Sequence, residues 1–175
     1  TGEWHFWPFG FTNKSTLLNG VYYDNTTIGA RFGLMDGLNV GSVAMFRCYM
    51  HIKSNATTGI PNTFKTIKCD GDGARLLIEG GLNTIGSLYS TKSGASTVNS
   101  INCTSGATTI ADYQQVGLNP LTDIVVAGGA LRIAGGTIGA YNTTNSMATV
   151  SSGSLSIKNT KIIVIPTATY AAPMF

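Results

Sequence analysis

The chain is poor in charge. Asp, Glu, Lys and Arg make up 11% of its 175 residues, against roughly 25% in an ordinary soluble domain. Eleven basic and eight acidic residues leave a formal charge of +3, with no Lys/Arg run. A nucleic-acid footprint needs a concentrated basic patch, so no nucleic-acid partner is expected. Long apolar runs are missing too. No stretch reaches the roughly 18 residues of a spanning helix, and no membrane insertion is expected. Cysteine is scarce: Cys48, Cys69 and Cys103 are an odd set without C-x-x-C spacing. That speaks against a disulfide framework, a zinc site or a redox pair. Three buried free thiols are expected, and no cofactor. Helix signals are nearly absent. The one candidate, of a turn or two, is Ile110-Ala111-Asp112-Tyr113-Gln114-Gln115-Val116, with Gly117 as a stop. A signal-peptide pattern is also lacking. The chain starts at Thr1 rather than Met, as expected of a fragment, a processed product or a trimmed piece.

What the sequence does contain is glycine, 22 residues, near twice the usual share of about 7%. It also has abundant Ser, Thr and Asn and an apolar fraction of 43%, which argues for a packed core rather than disorder. A six-residue pattern recurs. Leu76-Leu77-Ile78-Glu79-Gly80-Gly81, Ile124-Val125-Val126-Ala127-Gly128-Gly129 and Leu131-Arg132-Ile133-Ala134-Gly135-Gly136 each read apolar, any, apolar, any, Gly, Gly. Ile85-Gly86-Ser87 and Ile138-Gly139-Ala140 follow the first and third copies. Each unit is a short strand closed by a sharp corner, where glycine lets a neighbouring chain come close. Many such units predict a coiled, stacked β architecture.

Residues 43–53 read as one strand. Phe46, Cys48, Met50 and Ile52 alternate with Arg47, Tyr49, His51 and Lys53, which puts the first set inward and the second outward. Thr66-Ile67-Lys68-Cys69 reads in the same phase. It predicts Cys69 stacked on Cys48, Ile67 on Phe46 and Lys68 on Arg47, one coil of about 21 residues away. Leu155 follows Leu131 by 24 residues, again one coil, and Leu76 precedes Leu131 by 55, or two coils with a loop. Short strands are also expected within residues 17–36, at Leu155-Ser156-Ile157 and at Lys161-Ile162-Ile163-Val164-Ile165. Asp70-Gly71-Asp72-Gly73 reads as a turn.

The expected fold is therefore all-β, a three-sided parallel β-helix, with a β-sandwich or mixed β-prism as the alternative. Residues 1–165 form one domain, opened by an aromatic-rich segment (1–27) that carries Trp4, Phe6, Trp7, Phe9 and Phe11. Residues 166–175 form an extended, uncharged, apolar tail that needs to be covered.

Three groups of residues could carry chemistry. Asp70 and Asp72 have the spacing of a carboxylate pair for polysaccharide cleavage, beside the plainer reading of a turn. They supply too few oxygens for calcium, and no metal site is expected. The outward row Arg47, Tyr49, His51 and Lys53 offers an aromatic face and hydrogen-bond donors for an acidic glycan, beside the plainer reading of a solvated or subunit-facing strand. Trp4 and Trp7, with His5 between them, could form a sugar platform or an intersubunit contact.

The Gly-Gly-terminated strands at 76–81 and 131–136, the Thr-Ile-Gly corners after them, the aromatic opening and the Asn/Thr/Gly corners resemble the right-handed β-helix of bacteriophage tailspikes and tail-fibre proteins. The resemblance covers about residues 28–165. It implies a right-handed coil and a homotrimer in the virion, outside the cell, joined to other tail proteins. Its implied role is attachment to a bacterial surface polysaccharide. Two alternatives accompany it: a polysaccharide hydrolase or lyase, and a ligand-free module that locks the trimer.

Overall fold

In a computed structural model the chain is a parallel β-solenoid of about five turns. The residues described are 3–6, 28–33, 37–46, 48–53, 59–71, 73–93, 98–118, 122–140 and 146–164. Among them there is no helix. The strands are β1 (Glu3–Phe6), β2 (Ile28–Phe32), β3 (Asn39–Phe46), β4 (Tyr49–Ile52), β5 (Asn62–Asp70), β6 (Arg75–Ser93) and β7 (Ile101–Leu118). The later ones are β8 (Ile124–Val126), β9 (Ala130–Ile133), β10 (Gly136–Ala140), β11 (Ala148–Val150), β12 (Ser154–Ile157) and β13 (Thr160–Val164).

Every pairing among the described strands is parallel, and the pairings sort into three faces. The first stacks β2, β4, the start of β6, the start of β7, β8 and β11. On the second, the starts of β3 and β5 and the middles of β6 and β7 are followed by β9 and β12. The third carries β1, the ends of β3, β5, β6 and β7, then β10 and β13.

Alternation along each strand sends every second side chain inward, and stacking about 4.8 Å apart turns those side chains into rows. On the first face one row is Ala30, Met50, Leu76, Ile101, Ile124 and Ala148. On the second it is Val40, Phe64, Ile85, Ile110, Ile133 and Ile157. Most of these side chains are fully buried, each worth about 1.5–3 kcal/mol relative to exposure.

The first corner is built of glycine. Gly81, Gly106, Gly129 and Gly153 all have positive φ, between 76° and 84°. A Cβ on Gly106 would lie 2.5 Å from the Gly80 carbonyl carbon, and one on Gly129 would lie 2.4 Å from the Gly106 oxygen. Here backbone rests on backbone. Immediately beyond it, Asn83 Nδ2 donates to Thr108 Oγ1 (3.1 Å) and to the Gly80 carbonyl (3.0 Å), and Asn62 Nδ2 donates to Asn83 Oδ1 (3.3 Å). These buried amides tie three coils together.

The corner between the third and first faces is polar. Ser90 donates to Ser100 (3.0 Å), Ser100 donates to Asp123 Oδ1, and Tyr113 donates to Asp123 Oδ2 (2.5 Å). Lys92, 5% exposed, donates to the Ala74 and Gly71 carbonyls and so holds the 71–74 turn. That turn is the one expected at 70–73, closed by Ala74 N–H to Gly71 O at 3.1 Å.

Several expectations are borne out. Leu155 stacks on Leu131, and the late strands and the free, buried thiols are as expected. Others need correction. Residues 43–53 are not one strand: β3 ends at Phe46, the chain turns a corner, and β4 begins at Tyr49. Cys69 therefore stacks on Met45, Ile67 on Val43 and Lys68 on Ala44, so the 21-residue register is wrong for that coil. It holds one coil later, where Cys69 stacks on Ser90. Residues 110–116 lie inside β7, not in a helix, because the segment pairs as a strand with β6 on one side and, at Ile110 and Tyr113–Gln115, with β9 and β10 on the other. The similar hexads at 76 and 131 lie on different faces: Leu76 stacks on Ile101 and then Ile124, whereas Leu131 stacks on Thr108. The rest of the opening segment, apart from 3–6, and the tail beyond 164 lie outside the described residues.

Two tests follow from this packing. Gly129→Ala puts a side chain on a left-handed backbone, costing about 1–3 kcal/mol, and adds the backbone clash. Gly33→Ala meets nothing within 4 Å and serves as the neutral control. Urea unfolding is expected to show a large loss for the first and almost none for the second. The second test is alkaline stability. Burial pushes the Cys69 thiol up to about 12, against the opposing pull of Lys92, and raises Cys48 and Cys103 as well. Burial and the Asp123 carboxylate raise Tyr113. Groups that hold their protons more tightly when folded stabilise fully below their unfolded pKa, about 8.5 for Cys. That contribution is lost as pH rises towards the folded value. The urea midpoint is expected to fall steadily above pH 8.5, and a disulfide reagent at pH 8 is expected to label the thiols only after unfolding.

Candidate functional site

The first face brings together three of the residues picked from the sequence. Tyr49, His51 and Lys53 project outward from β4 and its end, as alternation requires. Stacking adds neighbours that sequence spacing did not reveal. Arg31 pairs in register with His51 on the coil before, and Arg75 pairs with Tyr49 on the coil after. Glu79 lies just beyond the Ile52–Ile78 pair, where it meets both His51 and Lys53.

The contacts are specific. His51 Nε2 lies 2.8 Å from Glu79 Oε2, and Lys53 Nζ lies 3.6 Å from the same oxygen. The Arg75 guanidinium sits over the Tyr49 ring, 4.7 Å from its centroid, a cation–π arrangement. The Tyr49 and His51 rings are 6.3 Å apart. Partial burial raises the pKa of the Glu79 carboxyl, but its hydrogen bond to His51 and the charges of His51 and Lys53 outweigh that and hold it below the ordinary value. Arg31 and Lys53 are exposed, whereas His51 is 6% exposed. The wall thus carries Lys53 against the Glu79 carboxylate, Arg75 over the Tyr49 ring and Arg31 in register with His51.

This arrangement can bind; acid–base chemistry at the dyad is obstructed. A general base must reach the proton that it removes. One ring nitrogen of His51 is engaged by Glu79, and the other, Nδ1, is buried without a hydrogen-bond partner. Asp70, the other chemical candidate, closes β5 on the third face and accepts a hydrogen bond from Thr91. The structure does not bring it to the Tyr49 cluster. Arg47, Asp72 and Trp7 lie outside the described residues, and Trp4 is placed only by its backbone, opposite Val43. Among the described residues no three His, Cys, Asp or Glu side chains converge on a metal position. No described helix is long and apolar enough to cross a membrane.

Arg75 and Glu79 were missed in the sequence, although a weak signal for both was present. Arg75 precedes the apolar strand at 76, and Glu79 fills a free slot of the hexad. Only the 26-residue step from Tyr49 to Arg75 makes them partners, and that step depends on β3 ending at Phe46 and β4 beginning at Tyr49.

The carboxylate gives a pH test. A carboxyl whose folded pKa is depressed stabilises above its unfolded value, about 4.3 for Glu, and loses that contribution as pH falls through the folded value. Glu79→Gln is expected to flatten the acid limb of the urea-midpoint profile below about pH 5.

Compared with known proteins, the chain matches no family model, no curated protein and no solved structure.

Proposed function

We propose that this chain is a rigid binding shaft of a phage tailspike or tail fibre, whose first face attaches to an acidic bacterial surface polysaccharide. The observation that carries the reading is one solenoid wall that holds Arg75 over the Tyr49 ring, Arg31 in register with His51 and Lys53 at the end of the same strand. Arg and Lys donate charge-assisted hydrogen bonds to carboxylates or phosphates, and the solenoid repeats its rows at a fixed spacing that suits a repeating polymer. A stiff wall also loses little entropy on binding.

Assembly as a homotrimer, with other tail proteins as further partners, belongs to the same reading. The third face supports it by exposing the large apolar side chains Tyr89, Val116 and Ile163, which favour association, beside the exposed Lys68 and Lys161. The buried Nδ1 of His51 favours attachment over cleavage on this chain.

Affinity electrophoresis through gels carrying a panel of acidic capsular polysaccharides, beside neutral dextran, tests the proposal. Retardation is expected in one or more acidic gels and not in dextran, and added salt is expected to relieve it. Arg31→Ala and Lys53→Ala are each expected to weaken binding about tenfold, the scale of one charge-assisted hydrogen bond. Equal mobility in every gel sinks attachment to acidic glycans, and shortened polysaccharide chains would replace attachment by cleavage. Sedimentation equilibrium should return three times 18.3 kDa; a monomer mass removes the trimer.

A further inference from the structure

Net charge is distributed unevenly along the chain. Residues 124–164 hold Arg132, Lys158 and Lys161 and no Asp or Glu, while the other positions balance eight basic residues with eight acidic ones. The whole formal charge of +3 therefore sits in the stretch that forms β8 to β13.

Strand register gathers the three cations at one corner, between the second and third faces. Arg132 points outward from β9, between the buried Leu131 and Ile133, and pairs with Ser156 of β12. Lys158 follows Ser156 by two residues, and its N–H donates to the Ile133 carbonyl (2.9 Å). The backbone then turns at Asn159, whose φ of 52° is left-handed, a conformation that Asn adopts more readily than most residues. Thr160 Oγ1 donates to the Lys158 carbonyl (3.0 Å) and closes the turn. Lys161 emerges on the third face, paired with Thr137. One coil and two residues put the Arg132 and Lys158 backbones about 8 Å apart, and Lys161 lies at most about 10 Å beyond Lys158. The preceding coil carries Ala134 and Thr137 at the places of Lys158 and Lys161, so charge is added to this corner rather than inherited from the repeat.

All three side chains are exposed. Among the described residues none of them has a carboxylate partner. Asp112, outward on the third face two coils from Lys161, already accepts from Gln114 Nε2 (2.7 Å) and Ser87 Oγ (3.5 Å). Asp123 is buried in the polar corner. Cations within about one Debye length, roughly 8–10 Å, act together on a single anionic stretch and repel one another without it. Thr109 and Ser156 flank Arg132 in register, and Thr137 flanks Lys161. Hydroxyls thus stand beside the charges, which matches the mixed hydroxyl and carboxylate groups of an acidic sugar chain. No aromatic side chain stands among the described residues of 124–164, which leaves nucleobases without a stacking platform, and three charges are few for a duplex footprint.

We propose that the Arg132–Lys158–Lys161 corner is a second binding site for acidic polysaccharide. Its ligand class rests on the attachment reading, but its place does not: Arg132 lies on the second face, two coils from the Arg75 strand on the first.

Lysine acetylation of the full chain, mapped by mass spectrometry with polygalacturonate, neutral dextran or duplex DNA present, tests the site. Polygalacturonate is expected to slow acetylation of Lys158 and Lys161, about tenfold at ten times the half-saturating concentration. Lys65, exposed on β5, is expected to react unchanged, and dextran to have no effect. Arg132→Gln is an exposed change that leaves the inward rows intact, and it is expected to raise the half-saturating concentration about tenfold. Unprotected Lys158 and Lys161, equal protection of Lys65, stronger protection by DNA, or an unmoved midpoint in Arg132→Gln each overturns the site. Lys53 is read in the same digests. Its protection without that of Lys158 and Lys161 overturns this site and leaves first-face attachment standing, whereas the reverse pattern keeps this site and counts against the first face.

Discussion

Close backbone contact at the glycine corner is the condition on which the rest of the molecule rests. Successive coils can keep strand-pairing distance around a sharp turn only if nothing projects between them. Gly106 and Gly129 meet that condition with left-handed backbones, and any Cβ there would enter the coil below. With the corner fixed, β6 and β7 can run through it as long strands and stay in register on both sides. The Asn62–Asn83–Thr108 ladder then sits one step past the corner and satisfies amide groups that would be expensive to bury unpaired. In-register apolar rows follow from the same stacking.

The opposite corner is solved with polar groups instead of glycine. Lys92 is buried against backbone carbonyls, and Asp123 receives hydrogen bonds from Ser100 and Tyr113. Such a network has strict geometry: removing one member strands its partner in a low-dielectric interior at about 1–3 kcal/mol. The two corners therefore fix the prism by different means. One permits close approach, and the other demands particular partners.

The outer surface inherits this rigidity. Tyr49 and Arg75 stand one coil apart, and their stacking follows from strand pairing rather than from a loop that must close around a ligand. His51 and Glu79 pair on the outer side of the same wall. A receptor-binding role needs little more from a scaffold than charged and aromatic groups held at fixed spacing. The low overall charge concentrates whatever electrostatic character the protein has into such local groupings.

The coiled architecture was legible in the amino-acid order because strand-plus-Gly-Gly units and alternation are local properties, set by φ preference and by the two-residue period of a strand. The same local signals could not fix the stacking. A corner costs two or three residues, and Phe46 to Tyr49 shows the effect: reading through it slipped Cys69 onto Cys48 where Met45 belongs. The 110–116 segment shows it again, since a weak helical pattern yields when the coils on both sides offer parallel strands to pair with. Of the candidate surface, Tyr49, His51 and Lys53 could be read from one strand, whereas Arg31, Arg75 and Glu79 could not. The chain alone determined that it would coil, through glycine, β-branched residues and short alternating runs. Which side chains from different coils meet was decided only by tertiary structure, because each corner's length sets the register of everything after it.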